Sequence, residues 1–263
     1  MKKAFELKKE LETAKKLSIY AGNEILKFYK KNFTIELKTD LSPLTEADKA
    51  SNNIIVQSLK KEFPDYSILS EEEHDNKERL NNDWCWIIDP LDGTKEFLKQ
   101  NDEFTVNIAL SYKHKSILGV IYIPVTGELF YALKGQGAFY FNNNKTIRIK
   151  VSDKTSNLIL IKSRTHHSSK LDKLINLNKL KIGLMISAGS SIKGCLIAKG
   201  EADIYYRFNP TMEWDTAAMQ CIVEESGGIF LQLDDTEMSY NRVNTLNEKG
   251  FYILNKIENK LKI

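Results

Sequence analysis

At residue 66 the hydrophobic pattern changes period, and for the next eighty residues it admits little but sheet. Seven short β-rich runs, YSILS, WCWIID, TVNIALSY, SILGVIYIP, ELFYAL, GAFYF and TIRIK, follow one another, broken by Gly, Asn, Pro and Lys. They predict a meander of strands, largely antiparallel, because antiparallel neighbours need only tight turns between them. Within it KGQGAF, residues 134–139, reads as a hairpin bend rather than a phosphate loop.

On either side the pattern is different. From Leu7 the residues Leu11, Ala14, Leu17, Ala21, Ile25 and Phe28 recur at intervals of three and four, which predicts one long amphipathic helix. A second helix is expected after Pro43, with Thr45 as N-cap, Asp48 three positions on, Ala50, Ile54, Leu59 and Phe63 as its apolar positions, and Pro64 as its stop. Beyond Val151, LILIKSR, KIGLMISAG, ADIYYRF, GIFLQL and FYILN read as strands, and SSIKGCLIAKG and WDTAAMQCIVEESGG as helices. Helices and strands interleave there, so the fold class is α/β (α+β). A β-rich front lobe, residues 1–150, and an α/β back lobe, residues 151–263, are expected to pack as one body, since no Pro/Gly/Ser linker separates them.

Composition narrows the function. With 38 basic and 35 acidic residues the net charge is only +3, and the lysines are scattered, so bulk attraction to nucleic acid is excluded. No run approaches the roughly 18 apolar residues of a membrane span, and the charged N-terminus is unlike a signal peptide. The expected setting is the cytoplasm, with peripheral attachment to the inner membrane left open. Cys85, Cys195 and Cys221 stand apart among apolar neighbours and read as reduced packing residues. His74 and His114 read as surface residues.

Three acidic features carry the chemistry. In WCWIIDPLDGT, residues 84–94, an apolar strand ends in Asp89 and Asp92, where Pro90 stiffens the turn and Gly93 permits a tight bend. Both carboxylates and the Leu91 carbonyl are thereby expected to face one space, an oxygen set that hard divalent cations favour. In SEEE, residues 70–73, at most one or two of three adjacent carboxylates can share a face. Asp215 in EWDTAA opens a helix, beside free backbone donors. Each feature alone is common: Asp-Pro and Asp-Gly form turns, glutamate runs are solvated, and helices often begin with Asp.

Taken together, SPLTEAD, ILSEE, WIIDPLDGTKEF, EFTVNIAL and WDTAA resemble the lithium-sensitive, magnesium-dependent inositol monophosphatase superfamily, over nearly the whole chain. Lys95 and Glu96 in DPLDGTKEF, together with EFTVNIAL, make the sequence most similar to the bacterial 3'(2'),5'-bisphosphate nucleotidase branch of sulfur assimilation. The resemblance implies a layered αβαβα sandwich and two Mg2+ ions, with a third, weaker one by analogy. It implies Glu71, Asp89, the Leu91 carbonyl, Asp92 and Asp215 as ligands. Asp48 and Thr94, with Glu71, would orient and deprotonate the attacking water. Gly93, Thr94, His166, Ser190, Lys193, Arg207 and Asp215 would contact the substrate, with Arg164 and His167 as alternatives to His166. The implied substrate is adenosine 3',5'-bisphosphate, cleaved to AMP and phosphate by a monomer or homodimer. An inositol or sugar phosphatase of the same superfamily is the alternative, and a non-catalytic nucleotide-binding protein is disfavoured by the presence of Thr94 and Asp48. Whether 3'-phosphoadenylyl sulfate or NADP also serves is left open.

Overall fold

A computed structural model describes residues 7–30, 35–37, 43–165 and 168–262. The chain opens with α1 (Lys8–Phe28), then β1 (Ile35–Leu37), β2 (Pro43–Thr45) and α2 (Glu46–Glu62). Next come β3 (Ser67–Ser70), β4 (Trp84–Asp92), the short α3 (Thr94–Leu98), β5 (Thr105–Tyr112), β6 (Lys115–Ile123), β7 (Glu128–Leu133), β8 (Gly137–Asn142) and β9 (Lys145–Ile149). The remainder is β10 (Leu158–Ser163), α4 (Ser169–Asn178), β11 (Ile182–Ala188), α5 (Ile192–Ala198), β12 (Ile204–Arg207), β13 (Thr211–Met212), α6 (Glu213–Glu225), β14 (Ile229–Gln232), β15 (Leu246–Asn247) and β16 (Phe251–Leu254).

The seven runs read from the sequence are the seven strands of one sheet, in chain order from β3 to β9. All its pairings are antiparallel except β3 with β4. Alternation along β4 shows how the sheet is held. Trp86 and Ile88 enter a core shared with α1 and α2, while Cys85 and Ile87 enter a second core shared with α5 and α6. A five-stranded sheet, ordered β11-β10-β12-β16-β14, closes the second core through Ile161, Tyr205, Phe251 and Ile253. Its other face packs Leu160, Ile204 and Tyr252 against Leu171 and Leu174 of α4. The layers therefore run α1/α2, sheet, α5/α6, sheet, α4, the expected αβαβα sandwich.

Thr45 caps α2 as expected. Its hydroxyl accepts the Ala47 and Asp48 amides, and the Asp48 carboxylate accepts the Thr45 amide at 2.7 Å. The buried face of α2 differs in part from the one read off the sequence. Leu59 and Phe63 are buried, but Ala47, Ile55 and Val56 take the places expected of Ala50 and Ile54. The reason lies in Asp48, Ser51 and Asn52, polar residues that this face also buries, which rotates it away from a purely apolar stripe. Helix α4 was not foreseen, although Leu171 and Leu174 carry its inward spacing. Helix α6 buries residues almost all round, from Thr216 to Val223, because it lies between two sheets rather than on one.

Residue 150 is where the chain leaves the first sheet, yet α6, from beyond that point, packs on it. The approach is unusually close. A Cβ added to Gly119 of β6 would lie 2.4 Å from the Ala218 carbonyl oxygen of α6. Only a residue without a side chain lets the helix backbone sit at this depth, and the depth sets where the helix begins and so where Asp215 stands. Gly119→Ala is expected to destabilise the fold by about 1–3 kcal/mol through overpacking. Urea denaturation checks the stability, and Mg2+ titration of the folded fraction checks whether the displaced helix weakens the site.

Candidate metal centre

Asp89 and Asp92 are three residues apart, and on a regular strand such residues point to opposite faces. Here they do not, because β4 is bulged: Asp89 pairs with Asn107 and Asp92 with Thr105, so three steps along β4 answer two along β5. One extra residue restores the shared side. Pro90, which has no amide hydrogen to offer the ladder, lies in the bulge, and its carbonyl accepts the Ser51 hydroxyl at 2.6 Å. Gly93 follows with φ +92°, and a Cβ there would come within 3.2 Å of the Glu103 carbonyl and of the Ser190 side chain. The sequence reading credited the turn residues alone; the bulge is what aims the carboxylates.

Asp215 comes from the first turn of α6 and meets the pair. Oxygens of Asp89, Asp92 and Asp215 lie within 4.8 Å of one another. Each acid has an oxygen tied down by the protein. Asp89 Oδ1 accepts the Leu91 amide at 3.1 Å, and Asp215 Oδ2 accepts the Met212 amide at 2.8 Å. Asp92 Oδ2 accepts the Ser191 hydroxyl at 2.7 Å and the Asn107 side-chain amide at 3.2 Å. Glu71, at the end of β3, lines the same cavity, while Glu73 turns away to accept Asn52 at 2.8 Å. Leu91 lines it as well, and since its side chain is buried in the first core, its backbone is what faces the site.

Burial, and then the charges of Glu71, Asp92 and Asp215, hold the Asp89 carboxyl well above its ordinary range. Burial and the neighbouring Asp92 push Asp215 up to about 7. Carboxylates crowded in this way repel one another, and a bound cation would offset that repulsion. The donors are all oxygens, with no sulfur or imidazole among them, so the set fits a hard divalent cation such as Mg2+.

Beside the acids, Thr94 Oγ1 donates to Asp48 Oδ1 at 3.2 Å, and the Leu91 carbonyl lies 3.4 Å from the same hydroxyl. Asp48 is thus brought to the site while still capping α2. The cavity, about 560 Å3, is also lined by Lys193, Arg207, Tyr205, Trp214 and Ser190. Lys193 is buried, not an ordinary surface cation. It donates to the Ser190 carbonyl, and burial lowers its pKa to about 8. Arg207 donates to the Asn209 carbonyl at 3.2 Å. Arg164 is paired with Glu103 and donates to the Ser187 carbonyl at 2.9 Å, while its neighbours Ser163 and Thr165 line the cavity. His166 and His167 lie outside the described residues. His74 and His114 are exposed, and the three cysteines are buried and unpaired.

The sequence reading missed Ser191, Thr105 and Asn107, which orient Asp92, and Glu96 and Thr165, which join across the cavity wall at 2.8 Å. One signal was available. Thr105 and Asn107 are polar residues at alternate positions of an otherwise apolar strand, and buried polar groups need partners.

A layered α/β sandwich with carboxylates gathered at the mouth of its first sheet defines a class of metal-dependent hydrolases. The chain belongs to the inositol monophosphatase family, whose model matches residues 6–260. The family is metal-dependent, generally on Mg2+. The chain is 38% identical over 247 residues to the 3'(2'),5'-bisphosphate nucleotidase CysQ of Salmonella typhimurium, covering 92% of this chain and 98% of that protein. Its identity to the protein of the same name from Buchnera aphidicola is 40% over 260 residues, covering 93% of each. The crystal structure of CysQ from Bacteroides thetaiotaomicron superposes with a TM-score of 0.82 at 37% identity, covering 94% of this chain and 97% of that one. Among the described residues no helix is long and apolar enough to cross a membrane.

The raised Asp215 pKa has a sign that can be measured. Because the metal-free folded chain holds this proton more tightly than the unfolded one, the stability it contributes is present below pH 3.8 and is lost as pH rises through about 7. Asp215→Asn, which keeps an acceptor for the Met212 amide, is expected to raise the melting temperature of the metal-free protein at pH 8. The gain should shrink toward pH 4 and be accompanied by loss of Mg2+ stabilisation. Thermal unfolding in chelator from pH 4 to 8 checks it, and a variant no more stable than the parent at pH 8 would contradict it.

Proposed function

We propose that the chain hydrolyses the 3'-phosphate of adenosine 3',5'-bisphosphate to AMP and phosphate, residues 1–150 and 151–263 acting as one catalytic unit. The reading is supported by the identity to proteins named 3'(2'),5'-bisphosphate nucleotidase along nearly their whole length. The observation that carries it is the Thr94–Asp48 pair standing beside the acidic cluster, in a cavity that Lys193 and Arg207 also line.

Glu71, Asp89 and the Leu91 carbonyl would hold one Mg2+, and Asp89, Asp92 and Asp215 a second, with room left open for a third, weaker ion. Bound there, Mg2+ supplies charge neutralisation for the phosphate oxygens and a lowered pKa for the attacking water. The protein supplies the rest. Asp48 Oδ2 is occupied by the Thr45 amide, which leaves Oδ1 for the Thr94 hydroxyl. With its hydrogen directed at Asp48, Thr94 Oγ1 presents a lone pair to the attacking water; a proton leaving that water passes to Thr94 while the Thr94 proton moves to Asp48. Water oxygen bonds to phosphorus, the bond from phosphorus to the ribose 3'-oxygen breaks, and that oxygen takes a proton from solvent water to leave as the 3'-hydroxyl of AMP, while the proton held on Asp48 returns to solvent. Lys193 and Arg207 would hold the second phosphate, and Ser190, Gly93 and Asp215 would border the reacting group. Tyr205, Trp214, Met212 and Leu246 give the wall an apolar surface suited to a nucleoside.

Asp92→Asn is expected to abolish turnover with an unchanged circular dichroism spectrum, and Thr94→Ala to lower kcat by about 10²- to 10⁴-fold. Phosphate release with Mg2+ present measures both. In a panel of nucleotide, inositol and sugar phosphates, adenosine 3',5'-bisphosphate should show the highest kcat/KM. A preference for inositol 1-phosphate would sink the substrate assignment, and full activity of Asp92→Asn would sink the site.

A further inference from the structure

Glu213 and Arg79 are buried charged residues that do not line the cavity described above, and together they span the gap between the two segments supplying the acidic cluster. Glu213, two residues before Asp215, is 0% exposed. Its carboxylate accepts the Asn241 amide at 2.6 Å, the Arg242 amide at 3.0 Å and Arg242 Nε at 3.0 Å. Asn241, held at φ +55° and buried, accepts Arg79 from below at 2.7 Å and donates to the Arg79 and Asn82 carbonyls. Arg79 in turn grips Asp75 through Nε and a terminal nitrogen, at 3.0 and 2.8 Å, and donates to the Arg242 carbonyl. Asp75 lies four residues beyond Glu71. The chain of contacts Asp75–Arg79–Asn241–Glu213 therefore ties the segment carrying Glu71 to the first turn of α6, across more than 140 residues of sequence.

We infer that Arg79 and Glu213 are positioning residues for the metal centre, a buried polar clasp that holds Asp215 within reach of the acids of the first sheet. The inference rests on the metal-centre reading above. Apolar packing and Gly119 fix the body of α6, but its first turn faces carboxylates of like charge, whose repulsion drives it away from β4. Hydrophobic contact is non-directional and cannot set the position of a helix end to a fraction of an ångström. Three donors converging on one buried carboxylate, anchored through a bidentate arginine, can.

The test measures binding of Mg2+ alone by calorimetry, alongside the Mg2+ dependence of phosphate release, for Glu213→Gln, Arg79→Lys and the double variant. Outer partners of metal ligands typically change affinity by about 10- to 100-fold. Each single variant is expected to bind Mg2+ at least about tenfold more weakly, to need correspondingly more Mg2+ for half-maximal activity, and to recover most of kcat at saturating Mg2+. The double variant should lose little more than the worse single one, because both act through one clasp. Leu160→Ala, which opens a cavity in the far core, serves as a variant destabilised elsewhere. Two results overturn the inference: folded clasp variants that bind Mg2+ as tightly as the parent, or a Leu160→Ala protein that loses affinity equally. Should Glu213→Gln fail to fold, Arg79→Lys, which keeps the charge and loses the fork, decides alone. A parent protein that binds no Mg2+ would refute the metal-centre reading instead.

Discussion

The constraint on which the structure turns is repulsion. Oxygens of three carboxylates lie within 4.8 Å of one another, with Glu71 on the same cavity. At an effective dielectric constant of about 20, two ionised groups at that separation oppose each other by roughly 3 kcal/mol. A protein that is stable by only about 5–15 kcal/mol cannot leave such a centre to form by chance. The chain must bring these groups together from three places and keep them there before a cation offsets their charge.

Much of the architecture can be understood as the means of doing so. The apolar body of α6 is buried between two sheets, and Gly119 lets it approach until backbone meets backbone. The bulge in β4 turns Asp89 and Asp92 to one side, and hydroxyl and amide donors from Ser191 and Asn107 occupy one oxygen of Asp92. Asp48 does double duty, since one oxygen caps α2 and the other accepts the Thr94 hydroxyl. Local helix chemistry and the candidate active site share the same atoms.

The same cavity also carries charge of the other sign. Lys193 is buried, and burial lowers its pKa, while its ammonium donates to the Ser190 carbonyl and lies over the Tyr205 ring. Arg207 stands beside it on the cavity. Carboxylates and cations lining one cavity suit the proposed substrate, a phosphoester that carries a second phosphate.

Sequence alone determined the seven strands of the first sheet, the two N-terminal helices and the capping residue Thr45, because periodicity and caps are local properties that each segment expresses by itself. It also identified the acids, through the motif resemblance rather than through spacing. Tertiary structure decided the remainder. The bulge that overrides alternation between Asp89 and Asp92 depends on pairing with β5. The burial of Lys193 depends on where the second sheet packs, and the engagement of Arg164 by Glu103 on a contact 61 residues away in sequence. The shell of Ser191, Asn107, Glu213 and Arg79 was illegible for the same reason: a buried polar side chain takes its meaning from partners distant in the chain, and no local pattern names them.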